Sequence, residues 1–211
     1  MADVFQKNQA TSAEDAAKIV PRAEFRVFGQ DLIDGVKAKM WDAKAVLHAA
    51  RKMPAEVYFL SVHTNEANVK VRDGLLDIKT KVGETPEGYE IFQPRGKFQF
   101  PVSKADLATI LDNLKVKLTL DKEQYTIEEF IRIARAHPDM AAVSVEKMRY
   151  GFMVDGIICE YAQVYFNGAM VESACCESEN YDGMKKAIAA LGLSDMENVN
   201  YLRAAKQVVG L

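Results

Sequence analysis

The chain has 211 residues, of which 49% are hydrophobic and 27% charged, so it can form a globular domain and is too apolar for a disordered protein. Its 27 basic and 30 acidic residues give a net charge of −3, which argues against a general nucleic-acid binder. The sequence has neither the roughly 18 consecutive apolar residues of a membrane span nor the apolar segment of a secretory signal. We therefore expect a cytoplasmic protein that binds neither nucleic acid nor a membrane.

The three cysteines are Cys159, Cys175 and Cys176. Two of them are adjacent, which suits neither a disulfide framework nor the usual spacing of zinc ligands. We expect them to be small, partly buried residues in a reducing compartment.

In chain order, a polar tail over residues 1–20 precedes a strand over 22–28, in which charged and apolar residues alternate. Asp31 is the predicted cap of a helix over 32–50. The next strands are predicted over 56–62, 68–72, 75–82 and 89–92. Asp73-Gly74 is typical of a hairpin turn, whereas Pro94 and Gly96 indicate a loop.

The second half continues with a helix over 103–114, a strand over 115–120 and a helix over 127–137 that Pro138 ends. Three strands are then predicted over 142–150, 153–166 and 169–179, and Asn167-Gly168 is the hairpin turn before the third. Two helices follow, over 182–191 and 199–208. This order predicts one α+β domain over residues 21–211 that consists of two related halves.

Charged side chains fall on one face of five predicted strands, because residues i and i+2 of a strand point the same way. They are Arg22, Glu24 and Arg26; Lys70 and Arg72; Asp77, Lys79 and Lys81; Lys147 and Arg149; and Glu177 and Glu179. A solvated face explains any one strand alone. If helices cover the apolar faces, however, the five charged faces look at one another, as in a closed antiparallel barrel with a charged lumen.

These residue types have a shared chemistry. Arginine binds phosphate through two parallel hydrogen bonds, and lysine supplies a compact positive charge. Carboxylates among them suit a hard cation such as Mg²⁺ or Mn²⁺, which can bridge to phosphate oxygens. The pattern therefore predicts a metal-assisted site for a polyphosphate.

The sequence resembles the CYTH family, the triphosphate tunnel metalloenzymes, from about Arg22 to Leu211. The matching segments are Asn68–Lys79, Glu146–Arg149, Cys159–Tyr161 and Glu177–Glu179. The family begins with Glu-x-Glu-x-Lys, where this chain has Arg22-Ala23-Glu24-Phe25-Arg26. An arginine thus stands in the place of the first metal-binding glutamate.

The resemblance implies a closed eight-stranded antiparallel β tunnel with helices packed on the outside. It implies catalytic roles for Glu24, Arg26 and Glu160, and an Mg²⁺ or Mn²⁺ ion at Glu24, Glu177 and Glu179. The phosphate-binding residues would be Arg22, Arg26, Lys70, Arg72, Lys79, Lys147 and Arg149.

The implied activity is metal-dependent hydrolysis of inorganic triphosphate, or of a nucleoside or thiamine triphosphate. Arg22 favours an alternative, a non-catalytic module that binds a polyphosphate or nucleotide. An adenylate cyclase and a structural role without a ligand are further alternatives. The sequence leaves the organic part of the substrate and a homodimer open.

Overall fold

Alternating apolar and polar residues form long strands throughout the computed structural model, which describes residues 10–211. The strands are β1 (Ala23–Gly29), β2 (Val46–Lys52), β3 (Glu56–Ser61), β4 (Thr64–Arg72), β5 (Leu75–Glu84), β6 (Glu90–Gln99), β7 (Val102–Ser103), β8 (Gln124–Tyr125), β9 (Met140–Val154), β10 (Ile157–Phe166) and β11 (Ala169–Ser178). The helices are α1 (Ala13–Ala17), α2 (Ile33–Asp42), α3 (Lys104–Asn113), α4 (Ile127–Ala136), α5 (Tyr181–Ala190) and α6 (Tyr201–Val209).

The main sheet has the strand order β10-β11-β1-β6-β5-β4-β3-β9-β2, and β10 also pairs with β9. The first eight strands of this order therefore close on themselves as an antiparallel β-barrel. The predicted fold class, a closed eight-stranded antiparallel barrel with helices outside, is confirmed. The strands β7 and β8 form a separate pair.

The chain divides into two compact units. Unit 1 contains the described residues up to Val20, together with Glu56–Thr80 and Gln93–Ala142. Unit 2 contains Pro21–Ala55, Lys81–Phe92 and Val143–Leu211.

In unit 1, the helices α3 and α4 cover the apolar face of the sheet. Val69 and Val71 of β4 lie in one buried cluster with Leu107 of α3, and the rings of Phe59 and Phe130 stack with their centroids 4.0 Å apart. Helix α4 begins with a capping box between Thr126 and Glu129. The apolar residues alternate along the strands, so the opposite face carries the charged ones.

In unit 2, the helices α2 and α5 cover the apolar face in the same way. Phe25 and Val27 of β1 share a buried cluster with Val36 of α2 and Met184 of α5. Asn180 caps α5 by accepting a hydrogen bond from the backbone of Gly183. Glu24 and Arg26 alternate with these apolar residues and thus lie on the face that α2 and α5 leave uncovered.

Three predicted elements are wrong. The helix predicted over 32–50 ends at Asp42, because Lys44 adopts a left-handed conformation with φ of 52° and the following residues pair with β9 as strand β2. Pro94 and Gly96 lie within strand β6 and not in a loop. The segment 115–120 is not a strand; its apolar residues Val116 and Leu120 pack into the core of unit 1 instead.

The remaining elements agree with the sequence pattern to within a few residues. Asp73-Gly74 and Asn167-Gly168 are the expected turns, and all four residues have positive φ. Asp155-Gly156 separates β9 from β10, so the turn lies within the segment predicted as a strand over 153–166, and β9 continues to Val154. The part of the predicted tail before Ala10 lies outside the described residues, and the rest contains α1. No helix within residues 10–211 is long and apolar enough to cross a membrane.

Candidate functional site

Arg26 is the centre of the charged cluster in unit 2, and only 4% of its surface is exposed. The register places Arg26 opposite Cys175, which in turn lies opposite Glu160. The guanidinium donates to Oε1 of Glu24 at 2.7 Å, to Sγ of Cys175 at 3.0 Å and to Oε1 of Glu160 at 3.4 Å. Three neighbouring strands thus hold this arginine in one orientation.

Glu160 links Arg26 to a second arginine, since its Oε2 accepts from Nε of Arg149 at 2.5 Å. Burial by itself lowers the pKa of both guanidinium groups. Their neighbours raise the pKa above the ordinary value, Cys175 and Glu24 before Glu160 for Arg26, and Glu160 first for Arg149. Both arginines therefore remain charged across the physiological pH range, although Glu160 supplies one negative charge for the two.

Helix α6 adds an aromatic ring to this cluster. The ring centroid of Tyr201 lies 4.5 Å from Cζ of Arg26 and 4.3 Å from Nζ of the buried Lys147. Asn200 caps the helix through its side-chain oxygen, which accepts from the backbone of Leu202 and Arg203. Burial raises the pKa of Tyr201, so its hydroxyl stays neutral at pH 7.

Three carboxylates lie side by side at one edge of the cluster, because Glu24 is the register partner of both Glu177 and Glu90. Each is already ion-paired. Arg22 approaches Glu177 at 3.3 Å, Arg26 approaches Glu24 at 2.7 Å, and Lys81 approaches Glu90 at 3.1 Å. These carboxylates are therefore neutralised by cations that the chain itself supplies.

The predicted Mg²⁺ or Mn²⁺ ligands do not fit a divalent cation as they stand. Glu24 and Glu177 are engaged with arginines, and Glu179 is exposed beyond the end of β11. Within residues 10–211, no group of three His, Cys, Asp or Glu side chains is arranged to hold a metal ion.

A second charged cluster lies in unit 1. The register aligns Tyr58, Lys70 and Asp77 on three adjacent strands. The buried carboxylate of Glu56 lies 3.6 Å from Nζ of Lys70 and 3.6 Å from Nη1 of Arg72. Burial lowers the pKa of Lys70 to about 8, although Glu56 opposes this shift.

Arg72 is only partly satisfied in this cluster. Its Nη2 donates to Oδ2 of Asp77 at 3.1 Å, whereas the buried Nε has no hydrogen-bond partner among the described residues. Lys79 follows on the same face of β5, opposite Asn68. Unit 1 thus holds a buried guanidinium N–H that can donate to an anion.

The structure gathers the predicted residues into one cluster in each unit. Unit 2 brings together Arg22, Glu24, Arg26, Lys147, Arg149, Glu160 and Glu177, while unit 1 brings together Lys70, Arg72 and Lys79.

Sequence reasoning missed several members of these clusters, among them Glu56 and Tyr201. Glu56 lies at the start of an apolar strand, where the pattern gave no sign of a buried charge. Tyr201 comes from a helix end, and no strand periodicity could place it beside Arg26.

No protein-family model and no curated protein sequence matches the chain. Among solved structures, it is similar to HpAC1 from Hippeastrum, described as a candidate adenylyl cyclase with a dominant triphosphatase activity. That match has a TM-score of 0.51 and 10% identity, and it covers 90% of this chain and 96% of that one.

Two other solved structures have lower TM-scores. A protein from Pyrococcus horikoshii OT3 gives 0.46 at 16% identity, over 85% of this chain and 97% of that one. A candidate adenylate cyclase from Bacillus halodurans gives 0.46 at 9% identity, over 87% of this chain and 96% of that one. Of the three, the Hippeastrum protein alone exceeds 0.5, and its low identity makes it evidence of a shared fold. The resemblance that the sequence motifs predict is confirmed at the level of the fold: the chain shares the fold of HpAC1, a closed antiparallel barrel consistent with that of the CYTH family.

Proposed function

We propose that the chain binds a triphosphate or polyphosphate through its cationic strand faces. The observation that carries this proposal is the arrangement around Tyr201, where Arg26, Lys147 and Arg149 lie together and Glu160 is the buried counter-charge of the two arginines. Clustered cations repel one another, and a polyanion relieves that repulsion. The fold shared with HpAC1 supports the same class of ligand.

The chain's own residues have distinct tasks in this proposal. Arg26 and Arg149 are held by Glu160, so their orientation is fixed before a phosphate arrives and little side-chain entropy is lost on binding. Lys147 adds a compact charge, and Tyr201 keeps it beside Arg26. In unit 1, Lys70, Arg72 and Lys79 would bind phosphate as a separate cluster.

Calorimetric titration of inorganic triphosphate tests this proposal. Lys147→Gln and Arg149→Gln should each raise Kd by about 10- to 100-fold, the value of one charged hydrogen bond. Arg135→Gln is the matched control, since Arg135 is an exposed arginine on α4. Equal affinities for all four proteins would exclude the cluster of unit 2 as the binding site.

Metal-dependent hydrolysis of the bound triphosphate is the second candidate function. It is favoured by the described triphosphatase activity of HpAC1 and by the carboxylates Glu24, Glu160 and Glu177 beside the cations. In this candidate, Glu24, Arg26 and Glu160 keep their predicted catalytic roles, and Mg²⁺ or Mn²⁺ would offset phosphate charge. The ion pairs of Glu24 with Arg26 and of Glu177 with Arg22 argue against metal-dependent hydrolysis, because they engage the carboxylates that would hold the metal.

Phosphate release separates the two functions. Inorganic triphosphate, ATP and thiamine triphosphate are each incubated with Mg²⁺ and with Mn²⁺, and products of ATP are also separated to detect a cyclic nucleotide. Hydrolysis predicts metal-dependent release that the double variant Glu177→Ala, Glu179→Ala abolishes. Triphosphate binding without phosphate release supports the non-catalytic binding module.

A further inference from the structure

The carboxylates of Glu90, Glu24 and Glu177 form a row across three adjacent strands of unit 2. Like charges directly opposite each other on a sheet are destabilising, so such a row needs positive charge nearby. Glu24 and Glu177 are each about one-third exposed, with side-chain values of 34%. Solvent can therefore reach the row. Whether the row binds a metal ion depends on whether its positive charge already comes from side chains of the protein.

The chain supplies that counter-charge at each position. Lys81 pairs with Glu90, Arg26 with Glu24 and Arg22 with Glu177. Two of the three cations are guanidinium groups, which do not deprotonate in proteins. The arginines therefore cannot become neutral to admit a metal ion at any physiological pH.

Arg22 is the cation that can be changed with least damage to the fold. Its side chain is 50% exposed, whereas Arg26 is buried and contacts several groups. Arg22 comes directly before β1, two residues before Glu24, so both side chains point to the same side of the strand. A carboxylate at position 22 would add a fourth acidic group to the row and remove one of its cations.

We propose that the ligand of this chain is a polyphosphate free of divalent metal, and that Arg22 takes the place that a metal ion would otherwise have beside Glu177. This inference rests on the proposed polyphosphate binding. A metal-complexed polyphosphate carries less negative charge and brings a cation toward Arg22, Arg26 and Lys81. Both effects weaken its attraction to the cluster.

The first test is calorimetric titration of inorganic triphosphate into the wild-type protein, once with EDTA and once with saturating Mg²⁺. We expect Kd to be about fivefold lower in EDTA, the scale of one exposed ion pair. Equal or tighter binding with Mg²⁺ would overturn the metal-free ligand. Absence of binding under both conditions would instead contradict the proposed function itself.

The second test measures binding of Mn²⁺ alone by electron paramagnetic resonance, so it needs no activity. The wild-type protein should leave Mn²⁺ free, and Arg22→Glu should bind it in a 1:1 complex. The control Arg135→Glu makes the same charge change on an exposed helix and should not bind Mn²⁺. Stoichiometric Mn²⁺ binding by the wild type, or none by folded Arg22→Glu, would overturn the role given to Arg22. Circular dichroism establishes that both variants fold.

Discussion

The ring of Tyr201 lies 4.5 Å from the guanidinium carbon of Arg26, on the charged face of the unit 2 sheet. The same ring lies 4.3 Å from Nζ of Lys147. One aromatic side chain at the start of α6 therefore contacts two cations that come from different strands. This arrangement connects the last helix of the chain to the candidate binding cluster.

Tyr201→Leu should lower the free energy of unfolding by about 1–3 kcal/mol, because two buried cation–π contacts are lost. Tyr201→Phe keeps the ring and removes the hydroxyl that accepts a weak hydrogen bond from Arg26 at 3.4 Å, so it should cost less than about 1 kcal/mol. Urea denaturation of both variants checks the difference. Equal losses for Leu and Phe would show that the cation–π contacts contribute nothing.

Burial lowers the pKa of Lys70 to about 8. Triphosphate affinity should therefore fall as the pH rises through about 8, because only the protonated amine attracts phosphate. Lys70→Arg keeps its charge and should lose this part of the pH dependence. Calorimetry of both proteins between pH 7 and about 9 makes the comparison, since titration of the ligand is common to both. Identical pH profiles would place phosphate away from Lys70.

Lys70 also links stability to pH in the opposite direction. Its pKa is below the ordinary value of 10.5, so between about pH 8 and 10.5 the unfolded chain binds more protons than the folded one. The contribution of this residue to the free energy of unfolding therefore rises with pH in that window. Denaturation of the wild type and Lys70→Met across the window should show a steeper rise in the wild type, because the other titrating groups are common to both proteins.

Glu160→Gln should lower the stability of the ligand-free protein by about 3 kcal/mol, the low end for a broken buried ion pair, because the buried Arg26 and the partly buried Arg149 lose their shared counter-charge while Arg26 keeps Glu24. Inorganic triphosphate can replace that charge. Its addition should therefore raise the Tm of Glu160→Gln more than that of the wild type. The control Glu146→Gln changes an exposed carboxylate on β9 and should leave both quantities unchanged.

A smaller ligand-induced shift in Glu160→Gln than in the wild type would contradict this account. It would mean that the orientation which Glu160 gives to Arg26 and Arg149 adds more to the affinity than its negative charge takes away.

Thr126→Ala should cost about 1 kcal/mol of stability, because the capping box at the start of α4 loses its hydroxyl. Thr119→Ala removes an exposed threonine that lies outside any helix or strand and serves as the control. Thermal unfolding measures both changes. No difference between the two variants would show that water replaces the cap without cost.

The strand faces could be predicted from the sequence because a period of two is a local property. Glu24 with Arg26, Lys70 with Arg72 and Lys147 with Arg149 therefore fell on charged faces as expected. The turns at Asp73-Gly74 and Asn167-Gly168 depend on residues that tolerate positive φ, which is again local.

Features that depend on tertiary partners could not be predicted in the same way. Strand β2 exists because it pairs with β9, although its own sequence fits a helix. Neighbours far away in the chain likewise set the pairing of Arg22 with Glu177 and the position of Tyr201 beside Arg26. The sequence indicated the substitution at Arg22, and the structure showed which carboxylate it neutralises.

Phosphorus NMR of inorganic triphosphate with an equimolar amount of the wild-type protein tests the central claim most directly. Binding at the charged clusters predicts broadened and shifted phosphorus resonances, which high salt restores to their free positions because the attraction is electrostatic. Resonances that remain sharp and unshifted in the equimolar mixture would contradict polyphosphate binding by this chain.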